Sequence, residues 1–259
     1  LLNHAQYFKE YREKIGFRSQ KEARDYLSAK NIFPDVNYEY INKLNERISE
    51  IAGKINKIID SSYSRKDISI FCKNYIYDPY KIIMTNGLLP KMNNQGRRPE
   101  EVLFSWLRGY VVSELFTPVF SEIFQVKIDS ITRIGDDDFK EIDTFKRTPK
   151  ADLEISTSLG LLRIEVQSGF QGINDIKEHK VREAKRVFEE KGIKTVCIHI
   201  DLYNGQVAFV RLDSIAEDDV NFVTRQQMEG QSVFSIDQNY FKWRLLDPIP
   251  KLKDLEIEI

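Results

Sequence analysis

The chain has 259 residues with 39 Lys+Arg against 40 Asp+Glu, 41% hydrophobic and 12% aromatic. Such a length and apolar content suit one large domain or two small ones with an ample core, and they exclude a disordered tail protein. The net charge of −1 hides a split, since residues 1–100 carry 18 Lys+Arg and 12 Asp+Glu whereas residues 101–259 carry 21 and 28. A polyanion-binding surface beside a metal site gives this pattern, and so does chance variation across solvated faces.

The opening segment from Leu1 to Lys14 has no basic leader ahead of an apolar run, so no secretory signal is expected. Nowhere does an uncharged apolar run approach the ~18 residues of a membrane span. Ser19-Gln20-Lys21-Glu22 reads as a capping box, with Glu22 reaching back to the serine amide, and opens a helix to about Lys30. Asn31 and Pro34 end it. A second helix is expected from about Tyr38 to Ile59, because Ile41, Leu44, Ile48, Ile51, Ile55 and Ile58 recur at three-to-four spacing. The two helices admit a helix-turn-helix reading as well as simple packing. Asn86-Gly87 and Asn93 to Pro99 punctuate the chain. They divide a helical region, 1–96, serving DNA contact or dimerisation, from a core at 97–259.

Pro99, with Glu100 and Glu101 in the first turn, opens an apolar helix expected to stop near Thr117-Pro118. An approximate strand follows at Gln125–Ile134, then a turn at Asp136-Asp137-Asp138, which could bind metal but reads more simply as a solvated loop. Two clearer strands are Lys150–Ser156 and Leu161–Ser168. A charged helix from about Asn174 to Lys191 is stopped by Gly192. Thr195–Leu202 is a strongly apolar, central strand, and Tyr203-Asn204-Gly205 turns it into Gln206–Leu212. Short strands surround Val233 and Trp243. Cys72 and Cys197 lack metal spacing, which points to a reduced compartment such as the cytoplasm. His4, His179 and His199 form neither a metal triad nor a nucleophile pair.

The chemistry-bearing segment is the strand pair. Alternation puts Asp152 and Glu154 on one face of the first strand, and Arg163, Glu165 and Gln167 on one face of the second. A hairpin centred between Ser158 and Leu159 sets Asp152 directly opposite Glu165, on the order of 5 Å away. Two carboxylates so close repel unless a cation or proton lies between them. Mg²⁺ suits such oxygen ligands, stabilises charge on a phosphodiester and lowers the pKa of an attacking water. Gln167 projects from the same face and can hold that water. A hairpin with a polar, solvated outer face has the same pattern.

Asp152, Glu165 and Gln167, set behind a core helix and ahead of a charged helix and a buried strand, resemble the PD-(D/E)XK nuclease superfamily, most of all its type II restriction endonucleases. The resemblance implies an α/β fold: an αβββαβ core over 99–202, a mixed central sheet flanked by helices, and an N-terminal helical region. It implies Mg²⁺-dependent hydrolysis of double-stranded DNA at a short specific site by a homodimer of a prokaryotic cytoplasm, as in restriction-modification. Asp152 takes the place of the invariant aspartate and Glu165 that of the second acid. Gln167 stands where most members have lysine; Lys150, Lys177 and Lys180 are the candidates to replace it.

A further helical acid is expected, Glu101 in preference to Glu114. DNA contacts are expected at Arg97, Arg98, Lys177, Lys180, Arg225 and Gln226, whose groups suit phosphates or purine edges. The alternatives are a structure-specific repair nuclease, a non-catalytic DNA-binding protein on a degenerate nuclease core, and a plain interaction protein.

Overall fold

The computed structural model describes residues 4–29, 31–92, 97–135, 150–157, 160–225 and 230–257. Two helices, α1 (His4–Lys14) and α2 (Gln20–Leu27), open the chain. Ser19 Oγ accepts from Glu22 N at 3.0 Å, as the capping box requires. The Glu22 carboxylate instead accepts from Arg18 N, one residue before the serine amide, at 2.8 Å. Helix α3 (Tyr38–Asn56) is capped by Asn37 and buries Ile41, Asn45, Ile48, Ala52 and Ile55. The expected apolar spacing therefore gives the helix, with Ile58 left exposed beyond its end. The sequence reading passed over α4 (Ile68–Cys72), a π-helical turn (Lys73–Tyr77) and α5 (Asp78–Thr85), which follow.

Helix α6 (Pro99–Ile123) does not stop at Thr117-Pro118; it runs 25 residues straight through Pro118. Proline has no N–H, so the carbonyl four residues earlier loses its helical partner. That carbonyl belongs to Glu114, and Arg65 Nη2 donates to it at 2.5 Å. A guanidinium from the chain before α4 thus repairs the break, with its central carbon 5.2 Å from the centre of the Phe71 ring. Arg65→Met keeps the stem and removes the donor. We expect a loss of about 1–3 kcal/mol, read as a fall of several degrees in the thermal unfolding midpoint. An unchanged midpoint would mean that something else satisfies the carbonyl.

The strand expected at Gln125–Ile134 shrinks to β1 (Ile131–Arg133). Gln125 adopts a left-handed conformation with φ +53, and a 3-10 turn occupies Ile128–Ser130, so the chain is still turning there. Next come β2 (Leu153–Thr157), β3 (Gly160–Gly169) and β4 (Asp175–Lys177). Helix α7 (Glu178–Lys191) starts four residues later than the sequence suggests, because Ile176 is pulled into a core beside Phe234 and its neighbours pair as a strand. Strands β5 (Lys194–Asp201), β6 (Gln206–Arg211), β7 (Phe222–Arg225), β8 (Gln231–Ser235) and β9 (Phe241–Arg244) complete the chain.

The protein is thus α/β: an N-terminal helical region, then a mixed six-stranded sheet in the order β1-β2-β3-β5-β6-β9, with a small antiparallel sheet β4-β8-β7. Strands β1, β2 and β3 are antiparallel neighbours, and β5 runs parallel to β3 after the α7 crossover. One sheet face, including Leu153, Ile164, Ile198 and Phe209, shares a core with α3 and α6. That core is continuous across residue 96. The opposite face packs Cys197, Ala208 and Val210 against Val181 and Ala184 of α7. Among the described residues no helix is long and apolar enough to cross a membrane.

Candidate active site

The β2–β3 register pairs Leu153 with Ile164 and Glu154 with Arg163. The ladder ends at the pair of Leu153 and Ile164, and Asp152 lies one residue before it, so the expected direct opposition to Glu165 is not continued as a strand pair. Asp152 N donates to Ile164 O at 3.0 Å, and Asp152 Oδ2 accepts from Val166 N at 2.7 Å. The carboxylate is thereby fixed by the backbone of the strand that carries Glu165. Glu165 is buried on the α7 face of the sheet, at 5% exposure.

The cation facing this pair is Lys180. Its Nζ lies 2.8 Å from Glu165 Oε2 and 3.0 Å from the carbonyl oxygen of Lys150. Burial works against its charge, but Glu165 and then Asp152 outweigh burial, and its pKa sits above the ordinary lysine value. Of the three lysines weighed from sequence, Lys180 is thus the one that meets Glu165. Lys150 and Lys177 are exposed, and Lys150 contributes its backbone carbonyl. The signal was present in α7: Lys180 lies four residues before Ala184 and seven before Val187, both buried, and so shares their face.

Beside the pair lies a cleft with about 10 Å³ of water-accessible room, lined by Glu165, Lys180, Arg163, Glu183 and Thr195. That is space for roughly one water. Arg163 is held by Glu154 at 3.4 Å. Cys197 is the β5 neighbour of Glu165, and burial first, then Glu165 and Asp152, push its thiol pKa well up. Cys197 is therefore a neutral, inert wall of the site. Gln167, half-buried two residues beyond Glu165, is the β3 neighbour of His199.

His199 adds a feature that sequence reasoning missed. Its Nε2 meets Asn174 Oδ1 at 2.8 Å, and Asn174 Nδ2 turns toward Asp201 at 3.4 Å. An amide oxygen accepts, so Nε2 carries the proton and Nδ1 is the bare nitrogen. Nδ1 is buried without a hydrogen-bond partner among the described residues. The close approach requires glycine at 169, where a Cβ would stand 3.0 Å from His199 Nε2. Asp201 itself accepts from Tyr203 N and Asn204 N and so ties the expected hairpin turn to the end of β5.

The remaining expected residues lie apart from the pair. Glu101 is exposed in the first turn of α6. Glu114 is buried and ion-paired with Arg133. Arg98 is paired with Glu100 at 2.9 Å, and Glu100 also accepts from Asn37 N, so this arginine braces the α3–α6 junction. Arg225 grips Asp175 through two nitrogens, at 2.9 and 3.0 Å, and braces the small sheet. Arg97 donates to Ser105 Oγ and to the Glu101 carbonyl. Gln226 and the Asp136-Asp137-Asp138 run lie outside the described residues. Among the described residues no group of three or more His, Cys, Asp or Glu is placed to hold a metal. Asp152 and Glu165 thus stand as two carboxylates and not as part of such a group.

Comparison with family models, with curated proteins and with solved structures found no match to this chain.

Proposed function

We propose that this chain is a Mg²⁺-dependent endonuclease that hydrolyses phosphodiester bonds of double-stranded DNA at a short specific site. It would be a type II restriction enzyme acting as a homodimer in a prokaryotic cytoplasm. The carrying observation is the juxtaposition of Asp152 and Glu165 with the Lys180 ammonium against Glu165. The order of elements supports the finer reading: one helix, three antiparallel strands, a crossover helix and a parallel strand follow the αβββαβ core implied for residues 99–202, with the short β4 of the small sheet inserted before the crossover helix.

Mg²⁺ takes one or two protein carboxylates and keeps the rest of its positions for water and phosphate. The donor set fits, and Asp152 and Glu165 would hold the ion. Bound there, it would supply charge stabilisation at the phosphodiester and a more acidic water. Lys180 restores from α7 the positive charge that Gln167 fails to provide, and its raised pKa keeps it protonated through the neutral range. The Gln167 amide both donates and accepts, and from the Glu165 face it can orient a water.

One observation favours a second reading, a sequence-specific DNA-binding protein on a degenerate nuclease core. Lys180 already balances the charge of Glu165, and the described residues offer no third metal-ligating side chain.

Incubating long DNA with the protein, in about 10 mM Mg²⁺ or in EDTA, separates the two. Discrete Mg²⁺-dependent fragments are the expected result. Asp152→Ala is expected to cut at least about 100-fold more slowly and to bind as tightly or more so, because carboxylate–phosphate repulsion is removed. Undiminished cutting would take Asp152 out of the chemistry. Metal-independent binding without cutting, on unmethylated DNA from several sources, would favour the second reading.

A further inference from the structure

Arg108 lies on the third turn of α6. Its guanidinium carbon is 3.6 Å from the centre of the Phe170 ring and 4.9 Å from that of Phe104. The Nε is buried without a hydrogen-bond partner among the described residues. Burial, and then the like charge of Arg97, lower its pKa, so the two guanidinium groups feel each other's field.

Elsewhere the arginines of this sheet and its flanks are matched by acids: Arg133 with Glu114, Arg163 with Glu154, Arg211 with Asp213 and Arg225 with Asp175. Neither Arg97 nor Arg108 has a carboxylate within ion-pair distance among the described residues; Arg97 donates to Ser105 Oγ at 2.6 Å and to a backbone carbonyl. Like charges oppose one another, and the cost falls on the partly desolvated Arg108. Ring faces offset part of that cost for Arg108 and hold its plane. An anion that accepts from both forks would offset the rest.

We propose that Arg97 and Arg108 form a binding site for a backbone phosphate of duplex DNA, with Phe104 and Phe170 fixing the Arg108 guanidinium. The proposal rests on the nuclease reading above and extends it to how the duplex is held. Phe170 directly follows β3, the strand that carries Glu165. At ~3.3 Å per residue it stands about 16 Å beyond that acid. The distance is the rise of about five base pairs, so a duplex held at the carboxylates is long enough to reach the arginines.

The test is the salt dependence of binding to a fluorescent duplex in EDTA, between about 50 and about 200 mM salt. Arg97→Ala and Arg108→Ala are each expected to make the log–log slope shallower, and the double variant by about 0.9 in all, the share of the one phosphate they hold. Arg98→Ala, whose guanidinium belongs to Glu100, is expected to keep the wild-type slope. Arg97 is exposed, so its variant reports on binding free of any folding defect, and a thermal melt checks Arg108→Ala. Wild-type slopes in both single variants, with a wild-type protein that does bind duplex, would overturn this site and leave the nuclease reading standing. A wild-type protein that binds no duplex at the lowest salt would remove both.

Discussion

Lys180→Met is expected to lower stability by about 3–5 kcal/mol, because it breaks a buried ion pair by removing one partner. Glu165 is 5% exposed, so bulk water reaches it poorly and the adjoining cleft holds only roughly one water. Asp152, whose charge also acts on Lys180, would lose the same cation. Methionine fills the stem volume, so the loss measures charge and not a cavity. In a chain of this size the change corresponds to roughly 10 °C in the unfolding midpoint. The double variant Lys180→Met/Glu165→Gln removes both charges and is expected to recover most of the loss, since replacing a whole buried pair is far cheaper than halving it. An unchanged midpoint in Lys180→Met would show that the pair does not hold the fold together. Cleavage is expected to fall in both variants, which separates the chemistry of the pair from its stability.

His199 makes the protein sensitive to acid. Burial holds its pKa down at about 4, against the weaker upward pull of Asp201 and Asp175. The unfolded chain takes up this proton near ~6.5. Below that pH the unfolded state therefore binds more protons than the folded one, and stability falls as pH falls. The contribution is complete above about 6.5 and is lost progressively down to about 4, where it amounts to about 3 kcal/mol. The geometry explains why the ring resists the proton. Nε2–H is committed to Asn174, so the second proton must go to Nδ1, which faces no acceptor among the described residues. Urea denaturation of wild type and of His199→Gln at a series of pH values isolates this term by difference, since the carboxylates are common to both. Wild type is expected to lose stability more steeply across that window. Parallel curves would mean that His199 is protonated in the folded protein.

Residues that act through local pattern were legible in the sequence. The β2–β3 hairpin that brings Asp152 beside the strand of Glu165 follows from strand alternation and a short turn, and the Tyr203-Asn204-Gly205 turn from its residue types; Gly205 has φ +71. What could not be read depends on distant chain segments. Pro118 reads as a helix stop because its defect is local, whereas its repair by Arg65 comes from 53 positions earlier. The late start of α7 depends on Phe234 drawing Ile176 into a core, far outside any helical window. Lys180 could be placed from its spacing on the buried face of α7, but what that face meets needs the crossover that lays α7 over β3. Arg98 and Arg225 looked like free cations in the sequence, and in the fold each is bound to an acid. The expected role of Glu101 rested on the resemblance and on a nearby basic loop, and the fold leaves it in solvent.

The bridge from Arg65 to the Glu114 carbonyl bears on how this protein can be inherited or divided. A segment beginning at residue 97 would carry the whole six-stranded sheet and look portable. It would also carry a helix with an unserved carbonyl, a buried Glu100 shorn of the Asn37 amide, and a wide apolar flank where α3 had been. The helical region is thus no detachable adaptor for the sheet but a missing part of its longest helix. Any recombination that exchanged one half for another would have to bring a replacement for that single guanidinium.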